Sequence, residues 1–172
     1  MRIKRENDTL LLAFNQTESR LLLRVFQQLI ENYRLKPDAI DPRTASVWYS
    51  TRGCATARMS AEETSEWIKH LHGLKSGGVQ RLENWSRELS ATKPGHSQLR
   101  LSVEEASALV TAINDYRLMA AARHNIGEAE MDVRSLLQIG GLPPARQQGL
   151  LEICFLAAII EETLQALESS TS

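Results

Sequence analysis

The sequence predicts a mainly α-helical protein: a helical bundle around a buried C-terminal helix, with a small N-terminal β-hairpin. Three observations carry that expectation. Residues 150–167 are apolar on nearly every side, the pattern of a helix enclosed by its neighbours. The strings Ser60-Ala61-Glu62-Glu63 and Ser102-Val103-Glu104-Glu105 have S-x-x-E spacing, in which a serine side chain and a glutamate three residues later satisfy each other's backbone N–H groups at a helix start. Two short runs at the beginning, separated by Glu6-Asn7-Asp8, fit two strands joined by a tight turn.

The hairpin is expected over residues 2–5 and 9–14. Because two strands alone are marginal, they must pack on helices or gain a partner, and residues 98–101 are the candidate third strand. Asn15 or Thr17 can cap the first helix, and Glu18 sits three residues after Asn15, a variant of the capping-box spacing. Leu22, Val25, Phe26, Leu29 and Tyr33 recur on one face until Pro37 ends it. Residues 36–59 follow no period; the stretch is too long for a structureless loop and should hold a short helix or strand, anchored through Val47-Trp48-Tyr49. From Ser60 a helix carries Thr64, Trp67, Ile68 and Leu71 on one side. The string 73–78, Gly-Leu-Lys-Ser-Gly-Gly, reads as an interhelical turn, since it lacks the spacing and the preceding strand of a phosphate loop. Val79, Leu82, Trp85 and Leu89 form the next stripe, and a loop with Pro94-Gly95 follows. The helix opened by Ser102 runs to about His124, with Asn125 and Gly127 as stops. A short helix is expected over 128–138. The last helix starts at Pro143-Pro144. One domain over 1–168 with a frayed tail at 169–172 is the expected organisation.

Composition excludes several classes. Twenty basic against 21 acidic side chains give a net charge of −1, which makes nucleic-acid binding unlikely. The charge is uneven: residues 1–60 carry ten basic and six acidic groups, and residues 61–172 carry ten and fifteen. No apolar stretch is long enough to span a membrane, and no signal region follows the basic start, so a cytoplasmic protein is the default. Two cysteines, Cys54 and Cys154, are too few for a disulfide framework. The histidines His70, His72, His96 and His124 do not converge at metal-ligand spacing; Glu66 and His70 lie four apart but lack a third ligand. No metal, cofactor or catalytic residue is indicated.

Arg117 is the residue that asks for an explanation. At 100° per residue it falls, with His124, on the face centred on Ala106, Leu109, Val110, Ile113 and Ala120. A guanidinium there needs a carboxylate, and Glu161 and Glu162 follow the apolar run of the last helix. The favoured reading is that this pair fixes how two helices dock; otherwise Arg117, flanked by Asn114, lines an anion or substrate site, or its guanidinium snorkels to solvent. Asp115 is assigned to the opposite, solvated face. Trp48, Tyr49, Arg52 and Arg58 mix rings and cations, as a phosphate or single-strand site does, although aromatic anchoring of a long segment is the commoner and favoured explanation.

The strings Leu101-Ser102-Val103-Glu104-Glu105-Ala106 and Ile113-Asn114-Asp115-Tyr116-Arg117-Leu118, followed by Arg123, resemble an uncharacterised bacterial domain family. That family is best known from actinobacteria and is often encoded beside the adaptor of the Clp protease. The likeness extends to the 1–5 stretch, to Asp41-Pro42 and to the closing apolar helix, and departs at 43–59, where the family tends to be acidic. It implies a fold and a cytoplasmic location and assigns no activity. The function expected is a non-enzymatic protein-interaction or regulatory module, pairing as a homodimer. The alternative is a small-molecule or anion-binding protein, or an enzyme, with a pocket around Asn114, Arg117 and His124. A third, nucleic-acid binding, would use Arg43, Arg52 and Arg58.

Overall fold

A computed structural model describes residues 1–91, 97–127, 130–131 and 139–168. Strands β1 (Arg2–Glu6) and β2 (Thr9–Phe14) pair antiparallel, with Asn7 in the left-handed conformation (φ 56°) at the turn. Strand β3 (Ser97–Ser102) joins the other edge of β2, giving the order β1-β2-β3. The two-residue period of a strand puts Leu10, Leu12 and Phe14 on the same face as Leu99 and Leu101, and all five are buried under the helices.

Helix α1 (Gln16–Tyr33) begins at a reciprocal box: Asn15 Oδ1 accepts from the Glu18 N–H at 3.0 Å, and Glu18 accepts from the Asn15 N–H at 2.8 Å. Its buried stripe is the one read from the sequence. The unreadable 36–59 segment holds two short helices, α2 (Pro42–Trp48) and α3 (Arg52–Thr56). Asp41 caps the first of these, and Ile40, Trp48, Tyr49 and Cys54 sink into the interior. Helix α4 (Ala61–Gly77) runs straight through Gly73, so the interhelical turn expected over 73–78 shrinks to Gly78; Lys75 is a helical residue. Helix α5 (Val79–Ala91) follows at once and buries Leu82, Trp85 and Leu89.

Helix α6 (Val103–His124) starts at the Ser102 box and stops at Asn125, which adopts the left-handed conformation (φ 52°). Helix α6 is the hub: α7 (Pro144–Glu168), α2, α1 and the sheet all pack against it. Tyr116 meets Glu152 whereas His124 meets Gly149, so α6 and α7 run in opposite directions. The expected C-terminal helix is in place, with Ile153, Leu156 and Ile159 fully buried on α6. It is wrapped on its inner side rather than all round: Leu151 is 54% exposed, and Ala158, two turns on, is open to solvent. Arg5 of β1 donates from Nη1 to the carbonyl of Leu167 at 3.0 Å. This supplies a partner and a positive charge to carbonyls that the end of α7 leaves unpaired.

Among the described residues no helix is long and apolar enough to cross a membrane. The short helix expected over 128–138 falls largely outside the described residues, as do the Pro94-Gly95 loop, His96 and the tail at 169–172.

Candidate functional site

The five residues Asn114 to Leu118 sit in the middle of α6 and take different environments. Asn114 is exposed, Asp115 and Tyr116 are buried, and Arg117 and Leu118 are half-buried. The placement of Asp115 on a solvated face is corrected here. Because α6 is covered from several sides, a second arc of the helix, with Ala112, Asp115, Tyr116 and Met119, is buried beside the expected one.

The proposed site residues are not brought together. Glu161 and Glu162 are exposed on α7, and among the described residues neither forms an ion pair with Arg117. Arg117 lies within electrostatic reach of Cys154, its Nε is buried with no hydrogen-bond partner, and burial lowers its pKa. His124 lies one helix end away, its ring against Gly149: a Cβ on that glycine would stand 2.7 Å from the ring. The buried acid that does tie α7 to the body is Glu152. Its Oε1 accepts from Arg24 Nη2 at 2.6 Å and from the Tyr116 hydroxyl at 3.1 Å. Glu152 is the lone charged side chain in the 150–160 run, and that was the signal available in the sequence.

A concave site lies elsewhere, between α1, α4, α5 and α6. It is a cavity of about 340 Å³. Tyr33 comes from the last turn of α1, Leu71, Leu74 and Lys75 from α4, Arg81, Leu82 and Trp85 from α5, and Ala108, Thr111, Ala112 and Asp115 from α6. The space exists because α6 presents the small residues Ala108 and Ala112, four apart, where α5 presents Leu82 and Trp85. One wall is polar. Asp115 Oδ2 accepts from the Tyr33 hydroxyl at 2.6 Å and from Lys75 Nζ at 2.5 Å, and the Asp115 backbone carbonyl accepts from Trp48 Nε1 at 2.8 Å. The Lys75 ammonium also lies 5.1 Å from the Trp48 ring centroid and 5.9 Å from that of Tyr33, within cation–π range. Burial, and then the Asp115 charge and hydrogen bond, push the Tyr33 hydroxyl well above the ordinary range of a phenol.

Trp85 forms the floor. It packs on Phe26 with ring centroids 5.8 Å apart and is 3% exposed, yet its Nε1 has no hydrogen-bond partner. A buried indole N–H is a donor that ordinarily finds an acceptor. The arrangement suits binding: mostly apolar walls and a few fixed polar groups.

Elsewhere, Trp48 and Tyr49 are core residues, so neither ring is free to stack on a base. Arg58 is exposed in the turn after α3. His70 stacks on Trp67 with centroids 6.3 Å apart, and among the described residues no three metal-binding side chains cluster. Residues 1–167 match the profile of a family described as a domain of unknown function, DUF2017. No curated protein and no solved structure matches the chain.

Proposed function

The chain belongs to DUF2017, a family without an assigned activity, and from its cavity we propose that it is a non-enzymatic regulatory module that binds a small molecule between α1, α4, α5 and α6. The observation that carries this reading is a mostly apolar cavity of about 340 Å³ with one polar wall, where Asp115 holds Lys75 and Tyr33 in place. Lys75 and Asp115 are engaged with each other and Tyr33, which suits holding the cavity in shape better than attacking a substrate. Helix α4 has no fully buried residue, yet supplies Leu71, Leu74 and Lys75 to the wall. A ligand would therefore tighten α4 on the body, which is how occupancy would reach the surface.

Ligand-observed NMR against a set of small apolar compounds tests this. Binding is expected with the native protein and is lost in Ala108→Leu, which fills the cavity from a half-buried position; circular dichroism confirms that the variant folds. Equal binding by the folded variant, or no binding to the native protein, defeats the reading.

The pairing of two copies has its own support. Leu151, Phe155 and Ala158 share one outer stripe of α7, with Leu151 54% exposed. Two such stripes crossing at Phe155 would make a symmetric contact. Light scattering at micromolar concentration should report a dimer that Leu151→Lys converts to a monomer; a monomeric native chain removes the idea.

A further inference from the structure

Resting on the cavity reading, we propose that the ligand is an uncharged small molecule with a hydroxyl on an apolar body, a phenol or a short alcohol. Asp115, in the cavity wall, points to it. The Tyr33 hydroxyl and Lys75 Nζ both donate to its Oδ2. Among the described residues nothing donates to its other oxygen, Oδ1. The Asp115 side chain is 11% exposed, and Oδ1 is not one of the sealed, unpaired polar atoms, so an incoming group can reach it. The neighbouring hydroxyls offer lone pairs as well. Tyr33 gives its proton to Asp115, and Thr111 gives its own to the Ser107 carbonyl at 3.1 Å. A ligand that fits this wall is therefore a donor.

Charge decides which donor. Lys75 pairs with Asp115, and Arg81 pairs with Glu104 at 3.4 Å, so the charges at the cavity cancel. An ammonium ligand would stand close to Lys75, and a carboxylate close to Asp115, each a like-charge contact in partly dry surroundings. A neutral hydroxyl avoids both. Lys75 has three N–H groups and gives one to Asp115, so another can serve the ligand oxygen. One O–H group thus answers both halves of the ion pair, whereas a lone N–H answers only the carboxylate. The rest of the ligand must be apolar, since Leu71, Leu74, Leu82 and Ala112 close around it. Its size is limited, because about 340 Å³ is near the lower end of the ~300–1,000 Å³ usual for ligand pockets.

Calorimetric titration with phenol, anisole, benzoate and benzylamine at neutral pH, where phenol keeps its proton, separates the possibilities. Anisole has the ring and oxygen of phenol without the donor. Phenol is expected to bind at least about tenfold more tightly than anisole, because hydrogen bonds to charged groups are among the stronger ones, and more tightly than either ion. Asp115→Asn has one acceptor oxygen, which Tyr33 takes; it should lower phenol affinity by about tenfold and change anisole by less than about twofold. Lys75→Met leaves the carboxylate without its cation and should raise benzylamine affinity by at least about tenfold. Circular dichroism checks that each variant folds; if Asp115→Asn does not, the native preference and Lys75→Met decide. Anisole binding as well as phenol, with Ala108→Leu abolishing both, overturns the hydroxyl proposal and leaves the cavity reading standing. Benzoate or benzylamine binding the native chain more tightly than phenol, phenol binding that folded Asp115→Asn leaves unchanged, or benzylamine binding that Lys75→Met leaves unchanged also overturns the proposal. No binding of any of the four removes proposal and cavity reading together.

Discussion

Replacing Asp115 by asparagine should lower stability by about 1–3 kcal/mol, near the cost of losing a hydrogen bond between charged groups. The Lys75 and Asp115 side chains are 13% and 11% exposed and 2.5 Å apart. At an effective dielectric constant of about 20, charges roughly 3 Å apart attract by about 5 kcal/mol, most of which the loss of hydration offsets. Asparagine keeps an acceptor for the Tyr33 hydroxyl, so the substitution isolates the Lys75 contribution. Stranding one partner of a fully enclosed pair costs about 3–5 kcal/mol. Here the penalty stays below that, because Lys75 rides on α4, which has no buried residue, and the ammonium can swing to water. Urea unfolding of native, Asp115→Asn, Lys75→Met and the double variant gives the coupling energy directly. Asp115→Asn should lose stability, and the double variant should recover most of it, because it leaves no unpaired charge. Stability of Asp115→Asn within about 0.5 kcal/mol of native, the usual range for an unremarkable surface change, would refute the role given to this pair.

Gly149→Ala in α7 should destabilise, although alanine is the better helix former by about 1 kcal/mol. The new Cβ would stand 2.7 Å from the His124 Cγ and 3.1 Å from its Cβ, so the helices themselves must part, at about 1–3 kcal/mol; His124→Ala should rescue it, and a raised urea midpoint for Gly149→Ala alone would contradict this. Arg117→Met should leave the melting temperature unchanged or raise it, because no described carboxylate loses a partner; a drop equivalent to more than about 2 kcal/mol would reveal one. Tyr33 and Tyr116 hold their protons more tightly in the folded chain than the ordinary phenol, mainly through burial. Their stabilising effect is therefore complete below a pH of about 10 and is lost as the pH climbs above that toward the folded-state values. Thermal melts between pH 9 and 11.5, approximately the range that brackets phenol ionisation, should show falling stability with a shallower fall in Tyr33→Phe; a flat profile would count against buried hydroxyls.

Local signals were legible and relational ones were not. The capping boxes at Asn15, Ser60 and Ser102 and the hairpin turn depend on residues close in sequence, and each is where the pattern put it; the third strand is also in place, although its partner β2 is distant in sequence. Residues 36–59 resisted reading because α2 and α3 are too short to display a period. The cavity was missed for two reasons. Lys75 sits among glycines and resembles a turn residue, yet Gly73 and Gly77 lie within α4. Asp115 falls off the main apolar stripe, and helical periodicity identifies one buried face when α6 has more than one. Arg117 is half-buried, and its proposed carboxylates turn to solvent, since a helix with exposed residues on one flank has somewhere to put them.

The bond from Arg5 to the Leu167 carbonyl joins positions 162 residues apart. In chain order β1 is the first element described and α7 the last, and the two pack together. Closing that clasp orders everything between them, an entropic cost that grows only slowly with the length of the loop. It makes the first strand and the last helix described depend on each other for order.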